Sequence, residues 1–176
     1  MSSYKEGKAE VVKFIQDSFE WGSTVLDVGA CDGIWVNLLK KDGHVNHFIF
    51  DAVEIYEPNI RLNHLSWKYR QVFNADIRML DYHNYDLIIF GDVLEHMTVE
   101  EAQACIEYAQ DRAEMIVVAV PFRLPQDELY GNPYERHIQD DLTHELFMER
   151  YPGFTPLWLS DKYGYYYWRN EDDEED

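Results

Sequence analysis

The sequence predicts one α/β domain, doubly wound, with a mostly parallel seven-stranded sheet and a C-terminal antiparallel hairpin. Apolar runs alternate with segments of helical spacing, which is typical of a parallel sheet covered by helices on both faces. The chain has 176 residues, of which 46% are hydrophobic, and this is enough for the core of one domain. Two aromatic-rich runs near the end of the chain are separated by a short polar break, as in a hairpin.

The N-terminal half supplies three of the predicted strands. Val12, Ile15 and Phe19 recur at helical spacing and predict a first helix over residues 9–19, which Gly22 is placed to end. A second helix is predicted over IWVNLLKKDGH, with Gly43 near its end. The strands are predicted in the apolar runs TVLDVGA, FIFDAVEI and RQVFNADI.

The second half begins with the strongest strand signal, YDLIIFGDV. Thr98 and Glu101 form a candidate capping box for the next helix, and EMIVVAVPF predicts the fifth strand. Residues 123–141 lack periodicity and are predicted to be a long loop, a class of segment that is often functional. LTHELFMERY predicts a helix that ends at Pro152 and Gly153, and FTPLWLS and YGYYYWR predict the hairpin.

Charge and composition narrow the possible partners. The formal net charge is −19, with 34 acids against 15 bases, so duplex nucleic acid, which needs a basic footprint, is not an expected partner. No apolar run approaches the roughly 18 residues of a membrane span, and the polar start is unlike a signal peptide. Cys31 and Cys105 show no disulfide framework or zinc spacing, which favours a cytoplasmic protein. The domain is expected to cover residues 1–170, with 171–176 as a disordered acidic tail.

The stretch VLDVGACDG holds the first candidate site. In open α/β sheets ligands bind at the carboxyl ends of strands, and this stretch follows the first strand. A dinucleotide site would place G-x-G-x-x-G against a pyrophosphate, but here the carboxylates of Asp27 and Asp32 would repel a diphosphate. The turn therefore favours a cationic cofactor, with an ammonium and a sulfonium.

The segment DVGACDG fits D-x-G-x-x-x-G and resembles the glycine-rich loop of class I S-adenosylmethionine-dependent methyltransferases. The similarity extends over four segments in order, from about Trp21 to Arg169, and implies a Rossmann-like methyltransferase fold with S-adenosyl-L-methionine as cofactor. Cys31 stands where many members have a glycine. The cofactor-binding residues implied by the resemblance are Asp27, Gly29, Ala30, Cys31, Gly33, Glu54, Asp76, Ile77, Gly91 and Asp92.

Within that set, the resemblance implies that Glu54 takes the ribose hydroxyls, that Asp76 and Ile77 hold the adenine, and that YDLIIFGDVLEHM passes under the methionine end. Other interpretations stay open from the residues alone. Asp27 is also typical of a buried turn acid, Asp32 of a helix N-cap and Asp76 of an Asx turn. Glu57 is an alternative candidate for the role assigned to Glu54.

The acceptor side is predicted from two histidines and one loop. His96 follows the fourth strand, and His137 lies in NPYERH, which resembles a segment after strand five in many small-molecule methyltransferases. Both are candidate catalytic bases; alternatively, each only positions a loop. The candidate substrate-binding residues are Tyr130, Asn132, Tyr134 and Glu135.

These observations together predict an S-adenosylmethionine-dependent methyltransferase that acts on a small-molecule or sugar acceptor, at a hydroxyl. No metal is expected, because H-E-x-x-H and similar ligand spacings are missing from the sequence. Specificity is expected to come from the N-terminal helix and the loop over residues 123–141. The alternatives are a non-catalytic partner subunit with the cofactor fold, an NAD(P)-binding oxidoreductase, or methylation of a basic protein; the oligomeric state stays open.

Overall fold

The computed structural model describes residues 6–40 and 48–170, which form a three-layer α/β domain. The predicted acidic tail and Gly43 lie outside the described residues. The strands are β1 (Ser23–Val28), β2 (Phe48–Val53), β3 (Gln71–Phe73), β4 (Tyr85–Gly91), β5 (Ala113–Pro121), β6 (Thr155–Leu159) and β7 (Tyr163–Arg169). All seven predicted strands are present, with small shifts of their ends.

The helices of the described residues are α1 (Lys8–Ser18), α2 (Ile34–Leu39), α3 (Glu57–Leu62), α4 (Leu65–Lys68), α5 (Val99–Gln110) and α6 (His144–Arg150). Helices α3 and α4 are short and were not predicted. At the start of α5 the predicted capping box is confirmed, because the Thr98 side chain accepts from the Glu101 N–H and the Glu101 side chain accepts from the Thr98 N–H. No helix in the described part of the chain combines the length and the apolar character that a membrane crossing requires.

The sheet order is β3-β2-β1-β4-β5-β7-β6, which confirms the predicted doubly wound fold. Strands β1 to β5 pair in parallel, whereas β7 is antiparallel to both β5 and β6 and completes the hairpin. The direction of the strand order reverses between β1 and β4, which are neighbours in the sheet. Parallel α/β sheets bind their ligands at this point, outside the carboxyl ends of the strands.

Two apolar cores, one on each face of the sheet, hold these strands in register. In β5 every residue except Glu114 is buried, as expected for a strand covered on both sides. The core below α5 and α6 includes Phe90, Phe147 and Tyr166, whereas the core below α1 and α2 includes Ile15, Trp35 and Phe50. The sheet is thus a rigid platform, and the loops at its carboxyl edge are free to carry polar groups.

Candidate active site

A cavity of about 790 Å³ lies at the carboxyl edge of the sheet, where the strand order reverses. Its walls come from the β1–α2 turn, the ends of β2 and β4, residues 75–78 after β3, and the loop over residues 123–141. Acidic side chains outnumber Lys and Arg among the lining residues. The cavity therefore suits a ligand that carries positive charge better than a diphosphate.

The β1–α2 turn depends on three residues with left-handed backbone conformations. Gly29, Cys31 and Gly33 have φ values of 71°, 44° and 74°. A Cβ at Gly29 would lie 2.5 Å from Cγ2 of Val93, so only glycine fits at this position. Gly29, together with Ala30, Cys31 and Asp32, lines the cavity, whereas Gly33 is the N-cap of α2 and does not. The expected alternative in which Asp32 caps the helix is not observed.

Asp27 lies beneath this turn and does not line the cavity. Its Oδ2 accepts a hydrogen bond from the Tyr69 hydroxyl, and its Oδ1 is buried without a partner. Burial raises the pKa of Asp27 to about 7, although the Tyr69 hydrogen bond and the charge of Lys8 oppose that shift. The structure thus places Asp27 as a buried acid that supports the turn from below.

Glu54 follows β2 and lines the cavity, although it is almost fully buried. Its Oε2 accepts from the Cys31 N–H and its Oε1 from the Tyr56 N–H, each over 2.8 Å. Each carboxylate oxygen has two lone pairs, so Glu54 keeps acceptor capacity on the cavity side. Its competitor Glu57 lies in the first turn of α3, exposed, in a loose ion pair with Arg61.

Asp76 and Ile77 line the far end of the cavity, after β3. The Arg78 guanidinium donates to both oxygens of Asp76 and also reaches Glu101 over 2.6 Å. The Asp76 side chain accepts the Arg78 N–H as well, so the Asx-turn geometry and the cavity position occur together. The ion pair with Arg78 lowers the pKa of Asp76.

Gly91 and Asp92 form the floor of the cavity at the end of β4. A Cβ at Gly91 would lie 2.4 Å from Nε1 of Trp35, so glycine is required for this close packing. Asp92 has a φ of 57°, and its Oδ1 accepts a hydrogen bond from the Tyr163 hydroxyl. The chain turns sharply after β4. Several of the residues that follow, including the predicted catalytic candidate His96, therefore line the cavity.

Glu95 is the residue of this site that sequence reasoning missed. It is 1% exposed, it lines the cavity, and neither of its carboxylate oxygens has a hydrogen-bond partner. Burial raises its pKa well above the usual range, and the charges of Asp92 and Glu135 act in the same direction. A buried acid without a hydrogen-bond partner requires an explanation, because burial of an uncompensated carboxylate lowers the stability of the folded protein.

The structure brings the two predicted histidines together beside Glu95. The rings of His96 and His137 lie 4.9 Å apart between centroids, although 40 residues separate them along the chain. Nδ1–H of His96 donates to the Arg136 carbonyl over 3.0 Å, and Nδ1–H of His137 donates to the Leu124 carbonyl over 2.6 Å. Because a carbonyl only accepts, each Nδ1 carries the proton and the neutral ring keeps its lone pair on Nε2. Burial lowers the pKa of His137, which favours this neutral form.

The loop over residues 123–141 forms one wall of the cavity, and Asn132, Tyr134 and Glu135 are among its lining residues. The Asn132 side chain accepts the Tyr134 N–H and donates to Oε1 of Glu135, which shapes a 3-10 turn at 133–135. Tyr130 is 95% exposed and lies outside the cavity, so the structure does not bring it to the predicted site. None of the described residues of α1 lines the cavity either.

Comparisons with known proteins identify the fold. The sequence matches no protein-family model, and no curated protein matches it at a significant level. The structure, however, is similar to an S-adenosylmethionine-dependent methyltransferase from Clostridium acetobutylicum, with a TM-score of 0.66 at 12% identity over 94% of this chain and 91% of that one. The N-methyltransferase NodS from Bradyrhizobium japonicum gives a TM-score of 0.65 at 12% identity, over 94% and 96% of the two chains.

The chain has the fold of the class I S-adenosylmethionine-dependent methyltransferases. A third similar structure is the 1,6-didemethyltoxoflavin-N1-methyltransferase from Burkholderia thailandensis, with a TM-score of 0.65 at 17% identity over 93% of this chain and 77% of that one. That enzyme was solved with S-adenosylhomocysteine bound. The methyltransferase fold is shared across enzymes with different acceptors, so a function for this chain has to be argued from its own cavity.

Proposed function

We propose that this protein is an S-adenosylmethionine-dependent methyltransferase that acts on a hydroxyl of a small-molecule or sugar acceptor. The observation that carries the proposal is the cavity of about 790 Å³ at the switch point of a methyltransferase fold, which is lined both by the glycine turn and Glu54 and by His96 and His137. We assign the glycine turn and Glu54 to the cofactor, as the first wall of the cavity, and the histidines with the loop over residues 123–141 to the acceptor, as the second wall.

The residues of the first wall fit the cofactor. Glu54 is held by two backbone N–H groups and keeps free lone pairs, so it is suited to accept from the two ribose hydroxyls. The acidic lining is compatible with an ammonium and a sulfonium. Gly29 allows the turn to pack closely against Val93, and we assign Asp76 and Ile77, which line the cavity, to the adenine. When bound, S-adenosylmethionine supplies a methyl group that is already activated for in-line displacement.

The second wall fits an acceptor that must lose a proton. A hydroxyl is a poor nucleophile until its proton is removed, and Nε2 of His137 or of His96 is the ring nitrogen that would take that proton, because Nδ1 of each ring donates to a carbonyl. Asn132, Tyr134 and Glu135 offer polar contacts to an acceptor at the cavity mouth. The residues of this wall would thus align the acceptor and handle its proton.

Glu54→Gln tests the proposal directly, with Glu57→Gln as its matched control. Glutamine keeps the size of the side chain but offers one acceptor oxygen in place of two and adds a donor, so we expect S-adenosylhomocysteine to bind about tenfold or more weakly, or roughly 1.4 kcal/mol. Glu57 is exposed and is not among the residues that line the cavity, so its variant is expected to bind like the wild type.

Isothermal titration of the three proteins measures the difference, and circular dichroism checks that each variant is folded. Equal affinity of all three proteins for S-adenosylhomocysteine would contradict the role of Glu54. A wild-type protein that transfers no methyl group from S-adenosylmethionine to any hydroxyl in a sugar and small-metabolite panel would contradict the acceptor class.

A further inference from the structure

We propose that Glu95, His96 and His137 form a site for one divalent transition-metal ion, and that this ion holds the acceptor oxygen. One ligand atom from each of these three residues lies within 4.8 Å of the other two, a spacing that a single ion bridges after small side-chain rotations. The inference rests on the proposed function for the role of the ion, but the ion site itself stands on the geometry of the three residues.

The first argument is the state of Glu95. Both of its oxygens are buried without a hydrogen-bond partner, and the residue lines the cavity. Buried carboxyl groups in proteins are paired, hydrogen-bonded or bound to metals, so a cation at this position would supply the missing partner of both oxygens.

The second argument is the orientation of the histidines. A metal-bound histidine usually donates its other ring N–H to a carbonyl or carboxylate, which fixes the tautomer and the direction of the ring. His96 and His137 both do so, through Nδ1–H to the carbonyls of Arg136 and Leu124. In the neutral ring this arrangement leaves the lone pair on Nε2, the nitrogen that would bind the metal.

The third argument is that the backbone holds the three ligands in place without the ion. The Ile138 N–H and the Gln139 N–H both donate to the Glu95 carbonyl, over 2.7 and 3.0 Å. The Gln139 side chain donates to the Leu94 carbonyl over 2.8 Å. The loop that carries His137 is thus fastened to the segment that carries Glu95 and His96, so the geometry is prepared in advance.

The ligand set predicts the kind of metal and its role. Two imidazoles and one carboxylate suit Zn²⁺, Mn²⁺, Fe²⁺ or Co²⁺ and leave at least one coordination position open. An acceptor hydroxyl in that position loses its proton to water more readily, because the cation stabilises the oxyanion. On this account Nε2 of His96 and of His137 binds the ion, so the proton of the acceptor hydroxyl passes to water and not to a histidine.

The test is a titration of untagged, chelator-treated protein with Co²⁺ and Mn²⁺, without cofactor. We expect one ion per chain in the wild type, a Co²⁺ absorption band in the visible range, and a higher melting temperature in the presence of Co²⁺. Glu95→Gln, His96→Ala and His137→Ala are each expected to weaken Co²⁺ binding by more than tenfold and to lose the Co²⁺-dependent rise in melting temperature. His64→Ala, at an exposed histidine outside the cavity lining, is the matched control and should behave as the wild type.

The outcomes separate the two proposals. Wild-type protein that binds S-adenosylhomocysteine but neither metal ion would overturn the cation site and leave the methyltransferase function standing. Metal binding that survives unchanged in Glu95→Gln and in both histidine variants would also overturn it, because the ion would then lie elsewhere. Metal binding that depends on these residues in a protein with no affinity for S-adenosylhomocysteine would support the site and contradict the proposed function. Variants that still bind S-adenosylhomocysteine show that their fold is intact.

Discussion

Asp27 and Glu54 are carboxylates at the ends of neighbouring strands, but their surroundings give them different tasks. Glu54 accepts two backbone N–H groups and faces the cavity, whereas Asp27 has one oxygen on the Tyr69 hydroxyl and the other without a partner. Burial raises the pKa of both groups, and that of Asp27 reaches about 7. Asp27 is therefore protonated in the folded protein at a pH where it is ionised in the unfolded chain.

This shift predicts how stability changes with pH. Because the folded pKa of Asp27 lies above its unfolded value of about 4, the folded state holds an extra proton between pH 4 and 7. The free energy of unfolding should therefore fall as the pH rises towards 7, with a contribution from Asp27 of at most about 1.4 kcal/mol per pH unit. Urea unfolding between about pH 5.5 and 8 measures this slope.

Asp27→Asn should flatten that slope, because asparagine does not titrate, so the variant gains stability relative to the wild type as the pH rises. Asp17→Asn, at an exposed residue of α1, is the control and should keep the wild-type slope. The same pH dependence in Asp27→Asn and wild type would show that Asp27 does not titrate in this range.

At the scale of elements, the connection between β4 and α5 and the loop over residues 123–141 act as one unit. Gln139 is buried, and its side chain bonds the Leu94 and Met97 carbonyls and the Tyr151 hydroxyl. The loop is thus fastened at the point where His137 meets His96. A long loop without regular structure gains a defined conformation in this way.

Gln139→Ala is expected to release the loop. Removal of the Gln139 side chain leaves buried carbonyls without a donor, which should lower the free energy of unfolding by about 1–3 kcal/mol. Backbone amides of residues 123–141 should also exchange their hydrogens faster. Gln103→Ala, which removes one bond to the Arg150 carbonyl on the side of α5, is the matched control. Hydrogen exchange measured by mass spectrometry compares them. Unchanged exchange of the loop in Gln139→Ala would show that other contacts hold it.

The elements differ in how well the sequence predicts them, for physical reasons. The strands were predictable because burial on both faces demands continuous apolar runs such as YDLIIFGDV. Helices α3 and α4 were not, because each is too short to show a helical period; α3 has no buried residue and α4 has one, Leu65. The positions of Gly29 and Glu54 at strand ends were enough to make them candidate site residues. The sequence did not predict which residues line the cavity.

Glu95 shows where sequence reasoning reaches its limit. The dipeptide Glu95–His96 directly after an apolar strand was visible, but an acid there is equally typical of a solvated turn. Its significance depends on burial and on the approach of His137, and both are properties of the tertiary structure. Tyr130 is the opposite case: it lies in the predicted loop, but it is exposed and is not among the residues that line the cavity.

At the scale of the whole molecule, the sheet collects residues from distant parts of the chain around one cavity. The glycine turn, Glu54, Asp76 and the β4 end line the part of the cavity that we propose for the cofactor, and the loop over residues 123–141 lines the part that we propose for the acceptor. The net charge of −19 and the acidic lining favour ligands that are neutral or positively charged. The account as a whole therefore depends on which cofactor enters this cavity.

The measurement that tests this most directly is calorimetric titration of the wild-type protein with S-adenosylmethionine, S-adenosylhomocysteine and NADH in parallel. The account predicts micromolar binding of the first two at one site per chain and no binding of NADH, whose diphosphate the acidic turn would repel. Binding of NADH, or no binding of either sulfur compound, would contradict it.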